Sequence, residues 1–367
     1  MSAKKPLPVA LDAMGGDHGC EPNVDGAIDA ALDDAVGTIL VGDEALLMEH
    51  LQRNPRGQTA LSSGLVRVHH AEETVEMDEK PAQAVRKKRK SSMRYTCDLV
   101  EAGEACAALT AGNSGAMMAM ALRVFGRIDG VSRPCIGAIF PNPGPTGAGI
   151  IVDAGANIDC TAEHLLQFGI MGEVFMREVY KIKSPRVGVL SNGTEDSKGN
   201  ELTRATLELL RMTDMNVIGQ VEGKDLPKGN VDIVVCDGFT GNVALKVMEG
   251  VGLEVMKQLK EGYKRGSLLA KLGAVLSLPV FMDLKAQADY REFGAAPFIG
   301  LKHPAYIAHG SSDAFAIRRG VGTVARGAAL GITGQTVEAL QSRMGMVKAA
   351  QEAAADDASG DDDKDAA

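Results

Sequence analysis

Short apolar runs alternate with longer helix-like segments along most of the chain, and a polar, glycine-containing loop follows each run. We predict strands at residues 8–11, 105–109, 149–152, 186–190 and 231–236. We predict helices from about residue 21, and at 116–125, about 161–180, 200–212 and about 243–260. Strands that alternate with helices form parallel βαβ units, whose right-handed crossovers place helices on both faces of the sheet. The pattern predicts a three-layer α/β/α sandwich with a mostly parallel, doubly wound sheet.

The polar loops are the candidate binding elements. They cover residues 12–17, 110–115, 153–157, 191–199 and 237–242, each directly after a predicted strand. Ligands of open α/β sheets bind beyond the carboxyl ends of the strands, so we expect all five loops to converge on one crevice. A glycine-rich turn at a helix start presents free N–H groups that bind phosphate. For any single loop, a turn that needs glycine only for its backbone angles is the equal alternative.

Side chains in and near these loops supply the candidate chemistry. Lys198 can neutralise phosphate charge, although most lysines are simply solvated. The strand-end aspartates can bind a metal, orient Lys198 or cap helices, but no dense metal-ligand spacing is present. His309, in a late polar loop, is a candidate general acid, base or phosphate donor. The candidate substrate-binding residues are Asp12, Gly15, Gly16, Asp17, Asn113, Ser114, Gly115, Asp153, Asn157, Asp237, Thr240, Gly241, His309 and Ser311.

Composition narrows the class of protein. The chain has 367 residues and a net charge of -9, and residues 355–367 contain six Asp and one Lys. We predict one α/β domain over residues 1–342 and an Ala/Asp-rich tail over 343–367, helical at first and then disordered. The acidic balance and the 4% aromatic content argue against nucleic-acid binding. Six cysteines without a C-x-x-C pair, and the lack of a signal-peptide pattern, favour a cytoplasmic protein.

Two further segments suggest partners. Arg86, Lys87, Lys88 and Arg89 begin a run of five basic residues, which is either a solvated helix face or a docking surface for an acidic partner. An apolar helical segment at about 257–285 has its most apolar part at 268–282, directly after several basic residues. That arrangement suits an anionic membrane surface, but burial in a dimer interface or in the core explains it equally well.

Several motifs, taken together and in order, resemble one family. They cover residues 10–19, 82–88, 111–116, 133–134, 153–157 and 235–246, and the resemblance extends from about Val9 to about Ala328. The sequence is similar to the bacterial phosphate acyltransferase family of phospholipid synthesis, the PlsX type. Departures from the family pattern occur at 191–195, at 294–296 and at residue 313.

The resemblance implies a fold like that of phosphotransacetylase and isocitrate dehydrogenase. It implies reversible transfer of a fatty acyl group from acyl carrier protein to inorganic phosphate, which yields acyl phosphate for phosphatidic acid synthesis. It also implies a homodimer at the membrane periphery, and we expect a downstream glycerol-phosphate acyltransferase as a partner. We predict no cofactor and no metal site, and metal assistance stays open. Lys198 and Asn242 match the family's essential positions. The basic run from Arg86 would dock the acidic carrier protein.

A mechanism without a covalent enzyme intermediate follows as a hypothesis. Phosphate would dock on the N–H groups around 113–115 and 241–242, pair with Lys198 and attack the thioester carbonyl directly. Asn242 or a backbone N–H would stabilise the oxyanion by about 3–4 kcal/mol, and His309 is the candidate if a base is needed. The rival functions are a phosphotransacetylase-like enzyme that uses acyl-coenzyme A, an isocitrate-type dehydrogenase, and a non-catalytic membrane scaffold for lipid enzymes.

Overall fold

The computed structural model describes residues 6–144, 146–282 and 290–362. The first part of the chain forms β1 (Val9–Asp12), α1 (Glu21–Asp34), β2 (Thr38–Gly42), α2 (Glu44–Arg53), α3 (Gly57–Ser62), β3 (Val66–His70), α4 (Pro81–Lys87), α5 (Ser92–Glu101), β4 (Ala107–Thr110) and α6 (Ser114–Phe125). The middle part forms β5 (Cys135–Pro141), β6 (Ala148–Val152), α7 (Ala162–Val179), β7 (Val187–Leu190), α8 (Glu201–Arg211), β8 (Val217–Val221), β9 (Ile233–Val235) and α9 (Gly238–Arg265). The last part forms α10 (Leu268–Leu276), β10 (Ala296–Ile299), β11 (Ala305–Ile307), α11 (Ala314–Ala329) and α12 (Thr333–Asp362).

The described strands form one 11-stranded sheet in the order β3-β2-β1-β4-β11-β10-β5-β6-β9-β7-β8. The strands β1 to β4 and β11 are mutually parallel. The strands β6, β9, β7 and β8 are also mutually parallel, but antiparallel pairing through β10 and β5 reverses their direction. The sheet therefore consists of two parallel blocks that run in opposite directions.

Helices cover both faces of the sheet, as the alternation of strands and helices predicts. Side chains of α4, α5, α6 and α9 pack against one face in a single core that spans both blocks. On the other face, α1, α2 and α11 cover the first block, and α7, α8 and α12 cover the second. Because strand residues alternate between the faces, most strands supply apolar side chains to both layers. The three-layer α/β/α prediction is confirmed.

The reversal of strand direction contradicts the expectation that all five polar loops share one crevice. The pairing of the strands between β4 and β6 places Thr110 and Val152 within about one residue, or about 3 Å, of the same level along the sheet. The same two strands are four steps of about 4.8 Å apart, which is about 19 Å across the sheet. The loops therefore form two clusters at similar height, with their strands pointing in opposite directions.

Two helices begin earlier than predicted because a polar side chain caps each of them. Asn113 accepts a hydrogen bond from the N–H of Ala116, so α6 begins at Ser114 and not at residue 116. Asp237 accepts one from the N–H of Thr240, so α9 begins at Gly238 and not at residue 243. The predicted loops 110–115 and 237–242 are thus partly the first turns of helices.

One helix crosses the domain boundary predicted at residue 342. Helix α12 runs without a break from Thr333 to Asp362, and Arg343 and Val347 are both buried. The Arg343 guanidinium donates to carboxylates of Glu173 on α7 and of Asp214, both at 2.8 Å. An arginine held between two carboxylates fastens the helix to the body of the protein. Of the tail predicted to be disordered, residues 363–367 lie outside the described part.

The apolar segment predicted at about 257–285 covers the end of α9, all of α10 and the helical residues 278–282. Its last residues, 283–285, lie outside the described residues. Among the helices that the structure describes, none combines the length and the apolar character that crossing a lipid bilayer requires. The segment is nevertheless highly exposed, with Leu268 84% and Leu276 74% accessible.

Candidate active site

One group of polar loops, the Asp12 cluster, follows the adjacent strands β1, β4 and β11. It comprises residues 12–17, 110–115 and 308–311. Asp12 is only 2% exposed, and its carboxylate accepts bonds from the Thr110 hydroxyl at 2.8 Å and the Met14 N–H at 3.3 Å. Gly15 packs against Gly112, where an added Cβ would lie 2.7 Å from the Gly112 nitrogen. Asp12 therefore supports the loops from below, and its role in substrate binding stays a prediction.

Asn113 joins the Asp12 cluster to the loop before α4. Its side-chain amide donates to the carbonyl oxygens of Met77 and Glu79, at 2.9 and 2.8 Å, while its oxygen caps α6. Every polar atom of this side chain is thus used within the protein. The following residues, Ser114 and Gly115, are exposed, and Gly115 lies against Pro81. The start of α6 presents backbone N–H groups, and no side-chain cation belongs to its loop.

The outer part of the Asp12 cluster is held by contacts between its loops. The N–H of Asp17 donates to the carbonyl of Gly310 at 2.8 Å, and Gly16 has a φ of 115°. The ring of His309 lies 2.8 Å from the Ser311 hydroxyl. Because no Lys or Arg occurs in residues 12–17, 110–115 or 308–311, this cluster carries more negative than positive charge.

The other group, the Asp153 cluster, follows the adjacent strands β6, β9 and β7. It comprises residues 153–157, 237–242 and 191–199. Asp153 is 0% exposed, and its carboxylate accepts bonds from the N–H groups of Ile136, Ala156 and Asn157 and from the Asn157 side chain. Burial raises the pKa of Asp153, and these hydrogen bonds oppose that shift. Asp153 and Asn157 therefore shape the loop, and a direct role in substrate binding is not supported.

The start of α9 does not form the phosphate cradle that the glycines suggest. The N–H of Gly238 donates to the Asn157 carbonyl, that of Thr240 to the Asp237 carboxylate, and that of Gly241 to the Asp237 carbonyl. An added Cβ at Gly241 would lie 2.0 Å from the carbonyl oxygen of Asp153. These glycines are required because two main-chain segments touch here. The predicted docking of phosphate on N–H groups around 241–242 is wrong, because they already bond within the helix.

Asn242 is the polar side chain at this helix start that stays available. It is half-buried, and no hydrogen bond to its side-chain amide is formed within the described residues. Gly155, exposed and with a φ of 125°, passes beside it, and an added Cβ there would lie 3.6 Å from the Asn242 Cγ. The amide therefore lies in a defined position with its donor free for a substrate atom.

Lys198 lies on the neighbouring strand end. The pairing of β7 with β9 puts Ser191 level with Asp237, and the chain returns to Ser191 at Gly199, where an added Cβ would lie 3.0 Å from the Ser191 Oγ. Lys198 is exposed, and its ammonium has no carboxylate within 4.0 Å among the described residues. Lys198 and Asn242 thus belong to segments that follow adjacent strands, β7 and β9.

Comparison with known proteins identifies the family. A family model described as "Fatty acid synthesis protein" matches residues 7–333. A protein named "Phosphate acyltransferase" from Trichlorobacter lovleyi is 44% identical over 92% of this chain and 95% of its own length. Another protein of that name, from Pelotomaculum thermopropionicum, is 45% identical over 86% of this chain and 90% of its own. The chain belongs to this phosphate acyltransferase family. The family resemblance inferred from the motifs is confirmed, and the chain is an acyltransferase.

Solved structures confirm the fold predicted for this phosphate acyltransferase family member. A phosphotransacetylase from Streptococcus pyogenes superimposes with a TM-score of 0.55 at 18% identity, over 91% of this chain and 95% of that one. An EutD phosphotransacetylase from Staphylococcus aureus also gives 0.55, at 16% identity, over 89% and 94%. At such low identity the likeness establishes the architecture alone. The phosphotransacetylase-like fold class is therefore correct.

The candidate site also includes a residue that the sequence motifs do not point to. Gln220 on β8 donates its side-chain amide to the carbonyl oxygen of Lys198. It lies outside the glycine-containing loops and the family motifs. Burial raises the pKa of nearby Cys160 to about 11, so this thiol stays protonated and is a poor nucleophile. Within the described residues, no cluster of His, Cys, Asp and Glu side chains has an arrangement that could hold a metal ion.

Proposed function

We propose that this acyltransferase moves a fatty acyl group reversibly from acyl carrier protein to inorganic phosphate, giving an acyl phosphate for phosphatidic acid synthesis. The observation that carries the proposal concerns the segments after the neighbouring strands β7 and β9 in a member of the phosphate acyltransferase family. Within the described residues, Lys198 pairs with no carboxylate there and the Asn242 amide makes no hydrogen bond. A cation and an amide donor suit a reaction between a phosphate dianion and a thioester carbonyl.

The reaction needs no enzyme-bound intermediate. Phosphate pairs with the Lys198 ammonium, and one of its oxygens attacks the thioester carbonyl carbon. The Asn242 amide donates to the oxyanion that forms. The carbon–sulfur bond then breaks, the new carbon–oxygen bond remains, and the thiolate of the carrier takes up a proton from solvent. The main contribution of the protein is to hold two substrates in contact.

The phosphate site is assigned to the Asp153 cluster alone. Its nearest strand, β6, lies three steps from β11 of the Asp12 cluster, which is about 14 Å across the sheet, so one phosphate cannot lie at both strand ends. Both groups of loops contain more acidic than basic residues, but only the Asp153 cluster contains a lysine, Lys198. Coulomb attraction therefore favours phosphate at Lys198.

A donor comparison tests the function. The purified protein is incubated with phosphate and either acyl carrier thioester or acyl-coenzyme A, and free thiol and acyl phosphate are followed by mass spectrometry. We expect turnover with the carrier and much less with coenzyme A, and Lys198→Ala should abolish most of it. Faster turnover with coenzyme A would favour the phosphotransacetylase-like alternative, and no turnover with either donor would favour a scaffold.

The carrier protein is proposed to dock on the exposed end of α4. Arg86, Lys87 and Arg89 are exposed, whereas Lys88 donates to the Thr74 carbonyl and Lys90 pairs with Glu72. Charge reversal by Arg86→Glu should raise the KM for the carrier, more at low salt than at high salt, because salt screens exposed charges. Lys348→Glu, an equal charge change at an exposed site on α12, is the control. An equal response of the two variants would reject docking at α4.

The apolar segment is proposed to meet the membrane. Between α9 and residues 271–282 lies a cavity of about 670 Å³ whose lining combines apolar side chains with Lys260, Lys264 and Lys271. This combination suits a surface of anionic lipids, from which the acyl phosphate would pass to a glycerol-phosphate acyltransferase. Leu268→Glu should reduce sedimentation with anionic vesicles, and Ile218→Glu, on the exposed face of β8, should not. Equal sedimentation of both variants with vesicles would contradict the assignment.

A homodimer is proposed to form through the exposed stripe of α9. Phe239, Val243, Val247 and Val251 recur at four-residue spacing on this helix and are 48–63% exposed. A stripe of this kind buries well against its copy in a second subunit. Val247→Glu should halve the mass seen in sedimentation equilibrium. An unchanged mass would place any dimer interface elsewhere.

A further inference from the structure

The lysine loop is fastened at four successive main-chain groups. The N–H of Lys198 donates to the Glu195 carbonyl at 2.9 Å, and the Lys198 carbonyl accepts from the Gln220 side chain at 3.1 Å. The next residue, Gly199, donates its N–H to the Asn192 side chain at 2.9 Å and accepts from Arg204 at 2.7 Å. Because consecutive groups are tied in this way, the direction in which Lys198 leaves the backbone is well determined.

Gln220 differs from the other tethers because it is buried and belongs to the sheet. It is 3% exposed on β8, whereas Asn192, Glu195 and Arg204 lie on or next to the exposed loop. Its Nε2 makes the bond to Lys198, and its Oε1 has no partner within the described residues. Within the described residues, the hydrogen bond that the Gln220 amide makes is therefore the one to the carbonyl oxygen of Lys198.

Close packing leaves the loop little freedom to slide over Gln220. Gly199 has a φ of 80°, and a Cβ added to it would lie 2.2 Å from the Thr203 hydroxyl and 3.1 Å from the Gln220 Oε1. On the other side, the Lys198 stem lies on Gly193, where an added Cβ would be 2.6 Å from the Lys198 Cγ. Because Gly199 has no side chain, the loop can pack against the Gln220 amide. Because Gly193 has none, the Lys198 side chain can pack against the loop.

We propose that Gln220 is a positioning residue for the reaction, acting through the carbonyl oxygen of Lys198 to hold the lysine ammonium at the phosphate site. The inference rests on the proposed role of Lys198 in binding phosphate. A sheet residue does not move with the exposed loop, so its hydrogen bond ties the lysine to the same rigid frame that carries α9 and Asn242. The distance between the cation and the amide donor is then set by the sheet.

The test replaces Gln220 with methionine, which keeps the length of the side chain and removes the donor. A small misplacement of a group that binds substrate lowers activity by about 10- to 100-fold. We expect Gln220→Met to lose activity in this range, mainly as a higher KM for phosphate. Calorimetric titration with inorganic phosphate should show weaker binding by a similar factor. Val221→Ala, on the same strand with its side chain on the opposite face, is the control for stability.

A double-mutant cycle separates positioning from a general structural effect. With Lys198→Ala in place, Gln220→Met should cause no further loss of phosphate binding, because its target is gone, whereas Val221→Ala should have the same effect in both backgrounds. An unchanged KM for phosphate in Gln220→Met, or equal losses in both backgrounds, would overturn the inference. If Lys198→Ala alone keeps full activity, it is the proposed function of the lysine that fails, whatever Gln220→Met does.

Discussion

Asp12 and Asp153 occupy corresponding places in the two clusters. Each follows a strand buried on both faces, each carboxylate is buried, and each accepts hydrogen bonds from its own loop. Burial raises the pKa of both. In both clusters a helix begins after the strand that neighbours the aspartate's strand, and a side chain caps the start of that helix. The two halves of the sheet thus use the same device to shape a strand end.

The clusters differ in what the shaped loop carries. In the Asp12 cluster, the side-chain amide of Asn113 donates hydrogen bonds to carbonyl groups of the 76–79 loop. In the Asp153 cluster, the amide of Asn242 is unbonded within the described residues, and Lys198 adds a cation. The comparison teaches that a glycine-rich helix start is not by itself a phosphate site. In our proposal, an unused side-chain donor and a lysine distinguish the loop that performs chemistry from a similar loop that does not.

The largest expected difference is between the two asparagines. Asn242→Ala removes the proposed oxyanion donor and should lower kcat by about 100- to 1000-fold with little change in stability. Asn113→Ala removes a helix cap and the amide bonds to the 76–79 loop, which should cost about 1–2 kcal/mol of unfolding free energy and far less activity. Steady-state assays and urea unfolding of both variants measure this. Similar kcat values for the two would erase the distinction between the clusters.

A smaller difference is expected between two glycines with positive φ. Gly155→Ala and Gly16→Ala both force an alanine into the left-handed region, at φ of 125° and 115°, and each should cost about 1–3 kcal/mol of stability. The added methyl of Gly155→Ala also lies 3.6 Å from the Asn242 Cγ, so this variant alone should lower kcat, by about 10-fold. Assays at a temperature where both variants are folded make the comparison. Equal kcat values would show that Gly155 does not influence Asn242.

The smallest effect concerns the pH dependence of stability. Burial raises the pKa of Asp12 above its usual value, so the stability that protonation gives is present at low pH and is lost as pH rises through the folded pKa. Asp12→Asn cannot titrate, so the wild type's advantage over it should be largest near pH 4 and shrink toward neutral pH. Urea unfolding across this range measures the trend. Asp153→Asn should show the same sign, and a trend of opposite sign would mean that hydrogen bonds outweigh burial.

Much of the site was predictable because its elements are local. The apolar runs predicted the strands β1, β4, β6, β7 and β9, and the loops that follow them contain Lys198 and Asn242. The sequence did not show which of the two asparagines keeps its amide available, since Asn113 and Asn242 occur in similar glycine-containing sequences. Their difference depends on whether another segment, such as residues 76–79, comes close enough to use the amide.

The sequence by itself determined five of the eleven described strands, the alternation that yields an α/β/α sandwich, and the family membership that its short motifs indicate. The tertiary structure decided which strand ends meet. Strands β10 and β11, from late in the chain, insert at the centre of the sheet, and antiparallel pairing through β10 and β5 reverses the second block. Hydrophobic periodicity reports which residues are buried, but strand direction and order arise from pairing between distant segments. For that reason, two clusters with one local pattern differ in the side chains that they leave available.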